Sequence, residues 1–244
     1  RSQKEHPCRW SCNKLKKYMK DLITIGLPSK GRLKEKSISF FNDRGLKIIQ
    51  SEKERNYFGT IENNPNVKII FLHAKEIIQR LGDGTLDIGV SGLDLLKESD
   101  KNLQVKINIQ KKLDYGNANL VIAVPDDWID VQTIADLEEI SFDIRSKRNT
   151  RLRVATKYPN LTNDFLISKG VTQYKLIPSL GATETYPFIG SSEIITDITS
   201  TGKTLADNNL RVLKDGLILS SRACLFIAKK KAAKLQPFLK SLGR

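Results

Sequence analysis

Short apolar runs and helical repeats of apolar residues follow one another along the first half of this chain. Four runs have the length of strands, and they cover residues 22–27, 46–49, 67–72 and 86–92. The stretches between them predict helices over 33–44, 73–81 and 94–98. In the second of these, apolar side chains recur every three or four residues, at Ala74, Ile77 and Leu81. Strands that alternate with helices are typical of an α/β fold with a largely parallel sheet.

The pattern changes near residues 111–115, which indicates a boundary between two α/β units. Beyond it, apolar runs predict strands over 118–125, 151–156 and 174–177, one that ends at Asp197, and a long one over 217–228. Helices are predicted over 131–137, 160–169 and 229–242, the first capped by Asp130 and the second ended by Gly170. A chain of 244 residues is long enough for two such units, each with a core.

The strand that ends at Asp197 is followed by a small, hydroxyl-rich turn over 199–204. Short side chains and Gly202 allow several backbone N–H groups to converge, and Lys203 adds a positive charge. These are the components of a phosphate site, and the acid at the strand end is suited to the hydroxyls of an attached sugar. The alternative is an ordinary polar turn after a buried strand.

Two other strand ends carry candidate ligand-binding residues. Lys30 and Arg32 flank Gly31 between the first strand and its helix, which predicts an anion site at the helix N-terminus. A solvated charged loop is the alternative. The stretch from Ser91 to Asp94 also lies where a strand ends, and ligands of α/β sheets bind beyond such ends.

The overall composition adds weak constraints. The net charge of +14 is compatible with nucleic acid, an anionic membrane or phosphate-rich small substrates. No apolar run reaches the roughly 18 residues that a membrane helix needs. Three cysteines are too few for a disulfide framework, so the reducing cytosol is the expected compartment.

Residues 1–18 are basic, polar and aperiodic, and we expect a disordered extension or a start-site artefact there. A transit peptide is a weaker alternative. Cys8 and Cys12, with His6 nearby, lack the ligand number and spacing of a zinc site, so no metal is expected there.

The signature around the Thr-Gly turn, together with five other segments, identifies a family resemblance. A glutamate at 184, a glycine at 190, and a strand that ends in Asp197 before Thr201 and Gly202 fill the fixed positions of that signature. The other similar segments are 27–33, 86–96, 113–125, 153–162 and 220–228, in the same order. Together they resemble ATP phosphoribosyltransferase, the first enzyme of histidine biosynthesis.

The resemblance implies a fold of two α/β lobes, similar to a type II periplasmic binding protein, with the active site in the cleft between lobes. Lobe I is expected over 19–112 plus 223–244, and lobe II, which carries the phosphoribosyl-binding loop, over 113–222. The chain is similar to the short form of the family, which works with a regulatory subunit paralogous to histidyl-tRNA synthetase in a hetero-octamer. Neither nucleic acid nor a membrane is expected as a partner.

The resemblance also implies the reaction, in which ATP and phosphoribosyl pyrophosphate give N1-(5-phosphoribosyl)-ATP and pyrophosphate. Mg²⁺ would be carried by the pyrophosphate, with no protein ligand assigned, and no general base is expected. The residues expected to bind phosphoribosyl pyrophosphate are Glu184, Asp197, Ser200, Thr201, Gly202, Lys203 and Thr204. Those expected to bind ATP or pyrophosphate are Lys30, Gly31, Arg32, Gly89, Ser91 and Asp94. Further candidates at the cleft are Thr156, Lys157 and Tyr158.

One departure from the family pattern falls just after the Thr-Gly turn, where Asn208-Asn209 replaces Asn-Gly. Asparagine tolerates the left-handed conformation, so the turn is expected to survive. Two other functions were weighed against the enzyme. A non-catalytic bilobal binding protein for a phosphorylated ligand has no need for the Thr-Gly turn. A nucleic-acid-binding protein is favoured by the charge alone, without a recognition motif.

Overall fold

The structure is a computed structural model of the chain, and it describes residues 22–50 and 57–242. The predicted extension over 1–18, with His6, Cys8 and Cys12, lies outside the described residues. The chain forms two compact lobes, each built around its own sheet. Lobe I contains residues as far as Ser91, then Lys101–Lys112 and the chain from Cys224 onwards. Lobe II contains Gly92–Asp100 and Leu113–Ala223.

Strands and helices alternate over most of the described chain. The strands are β1 (Ile23–Pro28), β2 (Ile48–Gln50), β3 (Phe58–Ile61), β4 (Asn64–Leu72), β5 (Ile88–Gly92), β6 (Ile107–Lys112), β7 (Ala118–Pro125), β8 (Leu152–Thr156), β9 (Tyr174–Pro178), β10 (Ile194–Thr199), β11 (Leu210–Ser221) and β12 (Ala223–Ala228). The helices are α1 (Gly31–Asn42), α2 (Ala74–Asp83), α3 (Leu93–Glu98), α4 (Lys101–Gln104), α5 (Ile134–Arg148), α6 (Pro159–Ser168), α7 (Lys203–Asp207) and α8 (Ala232–Leu242). None of the helices in the described ranges is long and apolar enough to span a membrane.

The sheet of lobe I has seven strands among the described residues, in the order β2-β3-β4-β1-β5-β12-β6. Its centre, β4-β1-β5, is parallel. The pairs β2-β3, β3-β4 and β12-β6 are antiparallel. The prediction of a largely parallel sheet is therefore correct for the centre and wrong for the flanks. For the β3–β4 pair the physical reason is the tight connection between the two strands, where Asn63 adopts a left-handed φ of 59° and the chain reverses.

The sheet of lobe II has the order β11-β7-β10-β8-β9. Strands β8, β9 and β10 are parallel to one another, whereas β7 is antiparallel to both β10 and β11. Its core packs the inner faces of these strands against α5 and α6, with Leu137, Val154, Leu166 and Ile194 fully buried. Burial of side chains on this scale is the main stabilising contribution to the lobe.

Two predicted elements differ from the observed ones. The long strand predicted over 217–228 is two strands, β11 and β12, which lie in different sheets and are separated by Arg222. The helix predicted over 131–137 is α5, which continues to Arg148 and is capped by Thr133 rather than Asp130. Thr133 and Asp136 form a reciprocal capping box, which satisfies backbone N–H groups that Asp130 was expected to serve.

Residues 92–100 group with lobe II, whereas the sequence placed them in lobe I. The reason is a pair of buried acids on α3. Asp94 accepts hydrogen bonds from Tyr158 and Ser221, and Glu98 accepts them from the first turn of α6.

Candidate active site

One edge of the lobe II sheet collects most of the predicted phosphoribosyl-binding residues. Because β8, β9 and β10 are parallel, their carboxyl ends meet at this edge. Lys157 directly follows β8, Ser179 directly follows β9, and Asp197 lies in the last half of β10. The register pairs Thr196 with Thr156, so the next residues along the two strands, Asp197 and Lys157, are neighbours.

Asp197 is a carboxylate held largely out of water. Its side chain is 14% exposed, and Oδ1 accepts a hydrogen bond from the N–H of Ile198 at 2.8 Å. Lys157 Nζ lies 3.9 Å from the same oxygen. Burial raises the pKa of Asp197 above its ordinary value, and the charge of Glu184 also raises it, whereas the Ile198 N–H and Lys157 lower it. The group is therefore an acid whose charge is sensitive to a bound partner.

The turn after β10 presents backbone and side-chain donors together. Thr199 Oγ1 accepts the N–H of Gly202 at 2.9 Å, and Gly202, at φ +75°, is the residue from which α7 begins. The side chains of Ser200, Thr201, Lys203 and Thr204 are exposed. Among the described residues, the N–H groups of Thr201 and Thr204 have no protein acceptor. The turn can therefore bind an anion with amides, hydroxyls and one ammonium group.

Asn209 lies in the connection between α7 and β11 and adopts φ 51°. The expectation that asparagine supports the left-handed conformation in place of the family's glycine is confirmed.

Glu184 lies on a short 3₁₀ turn, Thr183–Thr185, that follows β9. The turn is anchored to the end of β9, since Thr183 is fully buried and its Oγ1 lies 2.9 Å from Ser179 Oγ. Ala182 adopts φ 40° and ψ 48°, a left-handed conformation that costs a non-glycine residue about 1 kcal/mol. The half-buried Glu184 is close enough to Asp197 to raise its pKa, so the two carboxylates act on the same region.

The three further candidates after β8 differ in what they can offer. Thr156 is buried, and its hydroxyl lies 3.1 Å from that of Thr162, which in turn lies 2.8 Å from that of Thr196. Tyr158 is 7% exposed and engaged in an internal hydrogen bond. Lys157 has a side chain that is 37% exposed. Of the three, Lys157 has the group best placed to meet a ligand.

Asp94 is an internal residue of lobe II. Its Oδ2 accepts from Tyr158 Oη at 2.9 Å, and its Oδ1 accepts from Ser221 Oγ at 2.6 Å. The Asp94 N–H donates to the same Ser221 oxygen at 3.0 Å. Burial, and next the charge of Asp94, raise the pKa of Tyr158 well above its ordinary value, so the phenol remains a donor. Both oxygens of Asp94 are thus engaged inside the lobe.

The predicted anion site of lobe I lies at the N-terminus of α1. Lys30, Gly31 and Arg32 are exposed, and Gly31 has φ +69°. Lys30 is the N-cap residue, and its side chain makes no capping hydrogen bond. The first turn contains no acidic residue. A 12-residue helix whose N-terminus is flanked by two cations is suited to an anion.

Gly89 and Ser91 serve the packing of lobe I. A Cβ on Gly89 would lie 2.5 Å from Ile77 Cγ2 and 3.0 Å from Leu81 Cδ1, so the strand requires glycine there to approach α2. Ser91 is fully buried and donates to the carbonyl of Ala74 at 2.8 Å. Gly89 has no side chain to offer a ligand, and the buried Ser91 hydroxyl is engaged with Ala74.

Sequence reasoning did not find four polar residues that support this edge: Glu98, Thr162, Thr196 and Ser221. Each is at most 8% exposed, and each is hydrogen-bonded to a residue distant in sequence. The one available signal was a polar residue inside an apolar run, such as Thr196 between isoleucines and an acid. That signal does not indicate which distant residue is the hydrogen-bond partner.

Within the described residues, neither a metal-binding cluster nor the groove at the opposite edge of the lobe II sheet supplies another candidate for the reaction. Within residues 22–50 and 57–242, no group of three His, Cys, Asp or Glu side chains could hold a metal ion. A groove of about 660 Å³ lies at the opposite edge of the lobe II sheet, where Trp128, Arg148 and Phe188 line it. It contains none of the predicted site residues.

Comparisons with known proteins show the family of the chain. The family model HisG, ATP phosphoribosyltransferase, matches residues 73–243. The ATP phosphoribosyltransferase of Brucella melitensis biotype 2 is 45% identical over 209 residues, which cover 85% of this chain and 90% of the relative. That of Chelativorans sp. is 45% identical over 210 residues, covering 86% and 91%.

Solved structures show the same fold. The ATP phosphoribosyl transferase (HisG:HisZ) complex from Thermotoga maritima has a TM-score of 0.68 at 25% identity, covering 91% of this chain and 97% of that chain. The substrate-binding protein of an amino acid ABC transporter has a TM-score of 0.52 at 12% identity, covering 91% and 92%, and is similar in fold alone. With a family match over most of its length and relatives 45% identical across nine tenths of theirs, this chain belongs to the ATP phosphoribosyltransferase family.

Proposed function

We propose that the chain condenses ATP with phosphoribosyl pyrophosphate to give N1-(5-phosphoribosyl)-ATP and pyrophosphate, the first step of histidine biosynthesis. Family membership supports the reaction. The structural observation that carries the proposal is the edge of lobe II, where Asp197, Lys157 and Glu184 lie beside a turn with unsatisfied amides.

The chemistry requires positioning and charge stabilisation more than proton transfer. The lone pair of adenine N1 forms the new bond to ribose C1, while the C1–O bond breaks and its electron pair leaves with pyrophosphate. N1 is a neutral nucleophile, so no general base is needed to activate it. Positive charge develops on the ribose ring in the transition state. Carboxylates close to that ring lower the barrier.

The residues of lobe II divide this work. Ser200–Thr204 bind the 5′-phosphate through the hydroxyls of Thr201 and Thr204, exposed backbone amides and the Lys203 ammonium. Asp197 and Glu184 accept hydrogen bonds from the ribose hydroxyls and favour positive charge on the ring. Lys157, 3.9 Å away, lowers the pKa of Asp197 and so partly offsets burial, which is the larger effect and raises it.

Lobe I supplies the second set of anion-binding residues. Lys30, Gly31 and Arg32 bind phosphates of ATP or the leaving pyrophosphate at the N-terminus of α1. Mg²⁺ enters with the pyrophosphate group of the substrate, and we assign it no protein ligand. Gly89, Ser91 and Asp94 act as packing and hydrogen-bonding residues within their lobes rather than as ligands.

A regulatory subunit is part of the proposal. The Thermotoga maritima structure is a complex of HisG with HisZ, which supports a partner subunit for this chain. We propose that the partner is a paralogue of histidyl-tRNA synthetase and that the two assemble as a hetero-octamer in the cytoplasm. Light scattering on the purified mixture would measure the stoichiometry. A mass that corresponds to eight subunits is expected.

The activity is tested by ultraviolet absorbance of the product, with purified chain, ATP, phosphoribosyl pyrophosphate and Mg²⁺, with and without the regulatory partner. We expect product in the complete mixture and none when phosphoribosyl pyrophosphate is omitted. Folded protein that forms no product in the presence of the partner would contradict the proposal. A non-catalytic binding protein would instead bind phosphoribosyl pyrophosphate without turnover.

A further inference from the structure

We propose that helix α3 of lobe II positions Lys157 beside Asp197, and that Tyr158 is the positioning residue through which it acts. The inference rests on the proposed role of Asp197 in binding the ribose. It gives the buried groups Asp94, Glu98 and Tyr158, which do not contact the substrates in the proposed reaction, the role of positioning Lys157.

The first contact between α3 and the segment that follows β8 is a buried hydroxyl–carboxylate pair. Tyr158 Oη donates to Asp94 Oδ2 at 2.9 Å, and both residues are at most 7% exposed. Ser221 fixes the acid by donating to its other oxygen at 2.6 Å and accepting the Asp94 N–H at 3.0 Å. The Asp94 carboxylate therefore cannot turn away from Tyr158 without also breaking its hydrogen bond to Ser221.

The second contact is at the other end of α3. Glu98 is 8% exposed and accepts the N–H groups of Asn160 and Leu161, each at 3.0 Å. Asn160 Nδ2 returns a hydrogen bond to the Glu98 carbonyl at 2.8 Å. A carboxylate on the first N–H groups of α6 is a favourable cap, since it satisfies donors that lack helical partners.

Lys157 immediately precedes this doubly held segment. On its other side, Thr156 is fixed by the row of hydroxyls that continues through Thr162 to Thr196, the residue before Asp197. The backbone of Lys157 is thus fixed on both sides, and its ammonium lies 3.9 Å from Asp197 Oδ1. Removing the Tyr158 hydroxyl removes one of the two contacts with α3 that hold the segment after Lys157.

The inference can be tested by the pH dependence of the reaction, because the charges around Asp197 affect its pKa. Lys157 lowers the pKa of Asp197 and Glu184 raises it, from β8 and from the 3₁₀ turn respectively. Tyr158 is uncharged at neutral pH, and burial raises its pKa further above the ordinary value. When Lys157 is less well placed, Asp197 is protonated at higher pH and binds the ribose hydroxyls less well. In the pH profile of kcat/KM for phosphoribosyl pyrophosphate, the decrease on the acidic side, here called the acid limb, then occurs at higher pH.

The experiment compares Tyr158→Phe, Lys157→Met and a matched control, Tyr174→Phe, in complex with the regulatory partner. Tyr174 Oη also donates to a residue of α6, Asn163, at 2.6 Å, but this acceptor lies on α6 and not on α3. We expect the acid limb to move to higher pH in Tyr158→Phe and in Lys157→Met, with about a threefold to tenfold loss of kcat/KM below the midpoint. The control retains the wild-type limb, whatever its thermal stability.

A double variant separates positioning from general destabilisation. If Tyr158 acts through Lys157, the pair Lys157→Met and Tyr158→Phe shifts the limb no further than Lys157→Met alone. Additive shifts, or a wild-type limb in Tyr158→Phe, would overturn the inference. If Tyr158→Phe does not fold, Ser221→Ala removes one hydroxyl from Asp94 and must shift the limb in the same direction.

Failure of the proposed function is recognised separately. Asp197→Asn that binds phosphoribosyl pyrophosphate as the wild type does would overturn the role of Asp197 itself. Loss of binding in Asp197→Asn, together with an unchanged limb in Tyr158→Phe, would overturn the role of α3 alone.

Discussion

At the scale of single residues, the role that we propose for Asp197 conflicts with the stability of the fold. Its side chain is 14% exposed, and burial is the largest contribution that raises its pKa. The fold therefore holds a carboxylate where ionisation is disfavoured until a ribose or a cation compensates it. Residues of this kind are typical of active sites, where a perturbed pKa accompanies a chemical task.

Replacing Asp197 with asparagine keeps the shape and removes the charge. We expect kcat/KM for phosphoribosyl pyrophosphate to fall by about a hundredfold or more, since the carboxylate stabilises charge that develops in the transition state. Initial rates followed by ultraviolet absorbance measure the effect. Asp207→Asn, an exposed acid on α7, is the control. A rate within threefold of the wild type in Asp197→Asn would refute the assignment.

The same substitution is expected to increase stability at neutral pH. Because the pKa of Asp197 is raised above its ordinary value of 3.8, its protonated form contributes stability below 3.8 that is lost as pH rises through the folded pKa. Asparagine cannot ionise, so the variant retains that stability. Thermal unfolding at pH 7 should show a higher Tm for Asp197→Asn, and the difference should diminish towards pH 4. A gain that is independent of pH would point to another cause.

The sequence indicates Asp197 and the turn as candidates because their chemistry is local, and their roles remain predictions. An acid at a strand end and a glycine followed by lysine and threonine carry their meaning within a few residues. Asp94 shows the limit. It was expected to bind ATP or pyrophosphate, but its partners are 64 and 127 residues away, and no pattern near Asp94 indicates them.

At the scale of elements, the contact between β5 and α2 explains a glycine that was expected to line a nucleotide site. Gly89 faces Ile77 and Leu81, and any side chain there would overlap them. Close packing of this kind cannot be distinguished from a ligand contact in a sequence, because both require glycine at a strand end.

Gly89→Ala is expected to destabilise lobe I by about 1–3 kcal/mol, because the added methyl group overpacks the contact with α2. Chemical denaturation measures the free energy of unfolding. The KM for ATP should remain close to the wild-type value at a temperature where the variant is folded. Gly181→Ala is the matched control, since its Cβ would meet no atom within 4 Å. A raised KM with unchanged stability would restore the ligand role.

Element boundaries were predicted well where periodicity is strong and poorly where two elements join. The prediction of a strand over 118–125 matches β7. The prediction of a single strand over 217–228 was wrong because the run is apolar on both sides of Arg222, and one arginine in it does not indicate a break. The break is evident only from strand pairing, because β11 pairs within the sheet of lobe II and β12 within the sheet of lobe I.

At the scale of the whole molecule, the net charge of +14 acts on two highly anionic substrates. Oppositely charged ligands are attracted over distances set by the Debye length, which shortens as salt is added. The effect belongs to the molecule as a whole and does not depend on the identity of any one lysine.

Raising NaCl from about 0.05 M to about 0.3 M should therefore increase the KM for both substrates severalfold while kcat at saturation changes little. Initial rates at constant free Mg²⁺ measure this, with sucrose at equal osmolality as the control. A KM that is independent of salt would show that the charge serves something other than substrate capture.

The position of β12 has a consequence for the order in which the protein is completed during synthesis. This strand lies between β5 and β6 in its sheet, although it is the last strand of the described chain. Residues 92–223, which contain all of lobe II, emerge from the ribosome before Cys224. Lobe II can then fold first, while the edges of β5 and β6 that pair with β12 are still unpaired and prone to wrong pairing. Ribosome-bound chains that stop at residue 223 should accordingly present a protease-resistant lobe II beside a susceptible lobe I.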